Sequence, residues 1–302
     1  MMPTGADTVV MQEQTQREAE QITILQAPKP QEFVRKQGTY CQAGFPLLQP
    51  GIHLSAPEIA ILAAAQCTAV PVFRRPKVAI LSTGSELIEP DQPLGPGQIV
   101  DSNQYALTAL VEQMGAAVIA IGIVPDQPEK LKAAIQQALT NADVVISSGG
   151  VSVGDYDYID RLLEAFGATI HIRKIAVKPG KPLTFATQGS KLYFGLPGNP
   201  ASALVTFWRF VQPTLRKLSG LAQGWGPAYL SAIATQVLIG GPRETYIWGQ
   251  ISLQQGQYTF QPAPGNQLSG NLINLAGTNA LAIVPIGQSA IKAGEPVQVF
   301  MI

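Results

Sequence analysis

Three short loops near the middle of this 302-residue sequence are built almost wholly from residues that let a backbone approach an anion closely. The first is Ser82-Thr83-Gly84-Ser85-Glu86, where small hydroxyl residues and a glycine stand beside a carboxylate. The second runs Ser147-Ser148-Gly149-Gly150-Val151-Ser152-Val153-Gly154, with Asp155 and Asp157 directly after it. Its glycines permit the positive φ angles of an anion-binding nest. The third, Gly195-Leu196-Pro197-Gly198-Asn199-Pro200, reads as a helix start with Asn199 as cap and Pro200 at the first helical position. Free amides there suit a phosphate. Lys174, Lys178 and Lys181 surround a Pro179-Gly180 turn, a spacing that fits a polyanion. Glu86, Asp101 and Asp157 add carboxylates, which together with substrate phosphates are the usual ligands of Mg²⁺. Lysines and carboxylates converging on one pocket match a metal-bound phosphoanhydride. Each piece also has a plainer reading: Asp101 and Asp157 as helix caps, the lysines as a solvated turn, the serine-glycine loops as ordinary turns. Their conjunction is what points to a site.

The elements around these loops explain why they meet. Continuous apolar runs at 78–81, 117–124 and 144–146 read as strands buried on both faces. Between them, Ala106, Leu107, Leu110, Val111 and Met114 recur at helical spacing, as do Leu131, Ala134, Ile135, Ala138 and Leu139. Further helices are predicted at 159–166 and from Asn199 to about residue 217. This alternation predicts a three-layer α/β/α domain over 77–220, with the loops at strand ends where open α/β sheets collect ligands. After Gly220 the period changes to strand-like alternation, and a separate β-domain is expected over 221–302. Upstream, residues 33–76 read as a small β-rich unit with glycine turns at Gly38, Gly44 and Gly51 and a helix at 56–65. Residues 8–11 read as a strand with no leading element to pair with it, as in a chain that begins mid-domain.

Bulk properties exclude several functions. The 20 basic and 20 acidic residues cancel, so no net field draws the protein to nucleic acid or to an anionic membrane. Any anion site is therefore local. Cys41, Cys67, His53 and His171 lie apart and match no metal-ligand spacing. No apolar run reaches the length of a spanning helix and no leader pattern opens the chain, so a cytoplasmic location is expected.

STGSEL, GQIVDSNQ, DVVISSGGVSVGDYDY, KIAVKPGKPL and GLPGNPASALVTF stand in the order and spacing found in the molybdopterin molybdenumtransferases, a family this sequence resembles and to which the E domain of gephyrin is related. The resemblance implies insertion of molybdate into adenylylated molybdopterin, with Mg²⁺ dependence and release of AMP. It implies an upstream molybdopterin adenylyltransferase as supplier and a homodimer as the assembly, with no nucleic acid or membrane partner. Position by position, it marks Glu86, Asp101, Asp157, Lys178 and Lys181 as catalytic, Asp101 and Asp157 as metal ligands, and Lys174 as a further basic contact. Thr83, Gly84, Ser147, Ser148, Gly149, Gly150, Pro197, Gly198, Asn199, Pro200, Arg243 and Ser269 match binding positions. Residues 1–32 correspond to the remnant of an N-terminal lid-type domain, whose Asp-Gly and Met-Thr-Gly-Ala motifs have no counterpart here. Two further departures stand out: Gly38-Thr39-Tyr40 replaces the usual Gly-Glu-Asp turn, and Trp248 stands where a second arginine is expected after Arg243. An indole cannot offer the bidentate fork of a guanidinium. A catalytically weak binding or scaffold module and a related nucleotide pyrophosphatase are the competing readings.

Overall fold

The structure is a computed structural model that describes residues 2–150 and 156–302, with the backbone alone at Tyr156 and Asp157. The chain divides into two compact units, Met1–Pro50 with Leu54–Thr68, and Gly51–His53 with Ala69–Ile302.

The first unit carries a hairpin of β1 (Thr15–Glu18) and β2 (Gln21–Ile24), and the helix α1 (Ala56–Ala64). Helix α1 starts at a capping box of Ser55 and Glu58. Its β-structure lies ahead of the stretch where the sequence predicts it. Residues 8–11 pair with no strand, and none forms between 33 and 55, where Gly38, Gly44 and Gly51 all turn the chain at positive φ. The intervals between those turns are too short to build a ladder.

The second unit begins with β3 (Lys77–Thr83), β4 (Leu87–Ile88), β5 (Ile99–Val100) and α2 (Asn103–Gln113). There follow β6 (Ala117–Val124), α3 (Pro128–Asn141), β7 (Val144–Gly149) and α4 (Tyr156–Ala165). Strands β8 (Thr169–Lys174), β9 (Val177–Lys178), β10 (Pro182–Gln188) and β11 (Lys191–Leu196) lead into α5 (Pro200–Thr206), a π-helical turn (Phe207–Val211) and α6 (Gln212–Leu218). The π turn precedes Pro213, whose ring would meet the carbonyl four residues back in a regular helix, so the single helix predicted here carries a widened turn instead.

Six strands form a sheet in the order β6-β3-β7-β11-β10-β8, parallel from β6 to β11 and antiparallel beyond. Strand β3 shows why both faces are covered. Val78 and Ile80 pack with Leu107 and Val111 of α2 and Val205 of α5, while Ala79 and Leu81 pack with Ile135 of α3 and Leu163 of α4. Alternate side chains feed opposite cores, and each fully buried aliphatic contributes about 1.5–3 kcal/mol.

The last part holds β12 (Tyr229–Ala234), β13 (Leu238–Ile239), β14 (Glu244–Gln254), β15 (Gln257–Pro262), β16 (Ala280–Val284), β17 (Ala290–Ile291) and β18 (Pro296–Met301). Strands β15-β12-β18-β16-β14 close on themselves through β14–β15 pairing, a five-stranded barrel. Along β14, Ile247 and Ile251 fill the barrel while Tyr246 and Trp248 face the other way into the core beneath α5. Among the described residues, no helix is long and apolar enough to cross a membrane.

Where the chain enters the sheet, Arg74 grips Asp143 with two bonds of 2.6 and 2.7 Å, and the Lys77 amide donates to the same carboxylate at 2.8 Å. Arg74 pulls the Asp143 carboxyl down to about 2, with the Lys77 amide helping. A depressed carboxyl stabilises the fold above its unfolded value, and that contribution fades as pH falls from about 4 towards 2. With Arg74 in solvent, the discounted worth of Asp143 is about 1 kcal/mol. Asp143→Asn is therefore expected to lower the melting temperature at pH 7 by a few degrees, with the gap to wild type closing near pH 2. An equal gap at both pH values would count against the assignment.

Candidate functional site

Strands β3, β7 and β11 run parallel and end level with one another, Thr83 opposite Gly149 and Ser148 opposite Leu196. The chain leaves β3 for β6 on one side and later continues from β7 towards the other, so a topological switch lies between β3 and β7. A crevice of about 600 Å³ opens there, walled by Thr83, Glu86, Asp101, Ser148, Gly149 and Gly150. Gly198, Asn199 and Pro200 close its far side. Gly149 sits at φ +90°, and a Cβ there would stand 2.2 Å from the Thr83 carbonyl oxygen. Gly150, at φ +62°, packs over the Thr83 hydroxyl. Only glycine fits these two places.

Asp101 is 3% exposed. Its Oδ1 accepts from the Asn103 and Gln104 amides at 3.1 and 3.2 Å, which caps α2. Its Oδ2 is buried and has no hydrogen-bond partner among the described residues. One oxygen thus serves the helix, and the other is enclosed beside the crevice wall with its hydrogen-bonding capacity unused. The side chain of Asp157, the second expected metal ligand, lies outside the described residues, as do residues 151–155.

A second cleft, of about 900 Å³, adjoins the first and shares Pro182 and Asn199 with it. Lys178, Lys181, Arg243 and Ser269 line it. Its two halves are joined by backbone. Strand β9 leaves the α/β domain to pair in parallel with β14, Val177 opposite Glu244 and Lys178 opposite Thr245, and Arg243 donates to the Val177 carbonyl at 2.9 Å. Nearby, Arg209 of the π turn donates to the Tyr246 hydroxyl at 2.9 Å, which donates to Glu244 at 2.6 Å. Burial, together with the hydrogen bond it donates to Glu244, pushes the Tyr246 phenol well above its ordinary value.

Several residues marked by resemblance line neither cleft. Lys174 ends β8 opposite Pro182 and is exposed. The buried Ser147 hydroxyl bonds Tyr193 at 2.6 Å, and Pro197 is buried under its loop. At Gly84 a Cβ would stand 2.8 Å from the Glu86 carboxylate, so this glycine makes room for that side chain. The amides expected to be free at the start of α5 are partly used: Pro200 has none, and Ala201 donates to the Ser269 carbonyl at 3.0 Å. Asn199 occupies the cap position without a side-chain cap bond, which leaves its amide to both clefts. Trp248 is fully buried, its indole N–H donating to Asn274 at 3.0 Å. It therefore supports the loop behind the cleft and does not itself line the cleft.

Three family models match in tandem: the MoeA N-terminal region (domain I and II) over residues 1–65, the probable molybdopterin binding domain over 79–217, and the MoeA C-terminal region (domain IV) over 232–302. The molybdopterin molybdenumtransferase of Nostoc sp. is 58% identical over 306 residues, covering 100% of this chain and 70% of that protein. The chain belongs to the molybdopterin molybdenumtransferase family. The Haemophilus influenzae member is 37% identical over 99% of this chain and 74% of its own length. The molybdopterin biosynthesis moeA protein from Pyrococcus horikoshii OT3 superposes with a TM-score of 0.80 at 28% identity, over 99% of this chain and 73% of that one. The α/β domain with flanking β-structure and a C-terminal β-domain is thus the fold of this enzyme family.

Two site features escape a reading of the sequence. Gln267 bridges Trp248 by donating to its carbonyl at 3.3 Å and accepting from its amide at 3.2 Å, which fixes the loop that carries Ser269. Asn103 is 8% exposed and donates to Ser148 Oγ at 2.6 Å and to the Gly198 carbonyl at 2.7 Å. The Asp101-Ser102-Asn103 string was the available signal for Asn103, since a polar residue at a helix start beside a buried carboxylate has few other places to turn.

Proposed function

We propose that this chain inserts molybdate into adenylylated molybdopterin and releases AMP, the molybdenum-loading step of molybdenum cofactor biosynthesis. One observation carries the reading: a crevice walled by a buried carboxylate and a glycine nest opens beside a cleft lined by Lys178, Lys181 and Arg243, and Asn199 belongs to both. A substrate with a phosphoanhydride at its middle and an oxyanion to receive needs such neighbouring sites.

Mg²⁺ fits the crevice. Asp101 offers a buried oxygen with no other partner, and Glu86 shares the wall. Among the described residues no group of three His, Cys, Asp or Glu side chains gathers, which suits an ion that completes its shell with water and substrate phosphate. When bound, such an ion offsets negative charge on the phosphoanhydride. Asp101, Glu86 and Asp157 are the residues we assign to it. The glycine nest at Gly149 and Gly150 brings backbone amides towards phosphate oxygens. Lys178, Lys181 and Arg243 balance the charge of molybdate and of the phosphate that leaves with AMP, and Ser269 offers a hydroxyl on the same wall. A molybdopterin adenylyltransferase acting upstream supplies the substrate, and a homodimer is the working assembly implied by the family resemblance.

The test is AMP release from adenylylated molybdopterin, with and without molybdate and Mg²⁺. Release that needs both supports the reading. Release of a nucleoside monophosphate from unrelated dinucleotides would point to a pyrophosphatase, and binding without release to a scaffold. Within this assay, Lys178→Ala and Lys181→Ala are each expected to raise KM about 10-fold, the worth of one charge-assisted contact. Lys174→Ala, outside both clefts, should raise it no more than about 2-fold by the same reasoning. Equal losses at all three positions would overturn this placement of the lysines.

A further inference from the structure

We infer that Asn103 is the positioning residue that locks three separate loops into the shape of the crevice, a role that rests on the proposed reaction only for its effect on turnover. Its backbone amide is held by Asp101 Oδ1, which fixes the first residue of α2. From that anchored point the side-chain amide uses both of its hydrogens, one on Ser148 Oγ at the end of β7 and one on the carbonyl of Gly198 ahead of α5. The two acceptors lie 45 and 95 residues away in sequence. No other described side chain donates to two of the crevice loops at once. The loops also touch directly, since a Cβ at Gly198 would lie 3.4 Å from the Gly149 Cα. Contact alone sets how near they come, and the two amide hydrogens set their register. A buried amide with both protons committed has one orientation, so the free Oδ2 of Asp101, Gly149 and Asn199 keep fixed mutual positions.

Aspartate and alanine at this position separate the two arms of the lock. An ionised carboxylate donates nothing, so N103D repels the Gly198 carbonyl, yet it still accepts a hydrogen bond from the Ser148 hydroxyl, which can rotate. N103A loses both arms. The experiment is backbone hydrogen exchange followed by mass spectrometry on the full chain, read alongside melting temperature and AMP-release kinetics. N103A should speed exchange about 10-fold or more in both the 147–150 and 195–200 segments, and N103D mainly in 195–200, while β3 keeps its protection in each. In turnover, kcat should fall about 10- to 100-fold for both variants with KM within about 3-fold, because the groups remain and their alignment is lost. N103Q should recover part of the kcat, since its amide keeps two donors. Exchange that rises evenly across the sheet, or does not change in either segment, would overturn the inference. If the wild-type chain releases no AMP, the proposed reaction fails, and the segment-specific exchange still decides the role of Asn103.

Discussion

Asp101→Asn is expected to lower AMP release about 100-fold or more, the range typical for weakening an electrostatic clamp on a reacting phosphate, here the ion that Asp101 would hold. The substitution is close to isosteric. The retained carbonyl oxygen goes on accepting from the Asn103 and Gln104 amides, so the cap of α2 survives. What is lost is the charge on the buried Oδ2, which has no partner among the described residues. A buried carboxylate oxygen without a partner costs stability, so the variant should melt at the same temperature as wild type or slightly higher when Mg²⁺ is omitted. Opposite movements of activity and stability would mark Asp101 as a group kept for its ligand. Turnover within about 3-fold of wild type would reduce Asp101 to a helix cap.

The second large effect is on the fold. Gly149→Ala places a methyl group against the carbonyl of Thr83 in the neighbouring strand, at a backbone angle of φ +90°. Left-handed strain costs about 1–2 kcal/mol and overpacking about 1–3 kcal/mol more, so a loss of roughly 3 kcal/mol is expected in chemical denaturation. Gly256→Ala is the control. That glycine has φ +81° with nothing within 4 Å of the added carbon, so it should show the strain alone. If the two variants lose equal stability, the close approach of β3 and β7 is not what demands glycine at position 149.

The α/β sheet was legible in the sequence because strands covered on both faces are written as unbroken apolar runs, and 78–81 and 144–146 have no other use for four or three aliphatic residues in a row. The loops were legible because they end those runs. Less visible was the hairpin at 15–24, whose eight strand residues are all polar or exposed and whose turn puts Ala19 at φ +52°, a residue that turn rules would not choose. Strand β9 has only two residues, too few for any period to register. The roles of Asn103 and Gln267 depend on partners far away in sequence, which no local pattern carries. The motif marks Trp248 as a departure, but only the register of β14 shows that its side chain turns into the core.

The pairing of β9 with β14 has a consequence for how this protein can be taken apart. The two residues that pair with the start of β14, Val177 and Lys178, are encoded about 50 positions before the barrel begins, inside the lysine turn. A barrel grafted from a relative would have to bring its own lysine turn, or accept a foreign strand at its edge. The lysine turn therefore belongs to both halves at once, since its ends pair in the α/β sheet and Val177 and Lys178 pair with the barrel, so a change in the backbone of one half moves the charges of the other.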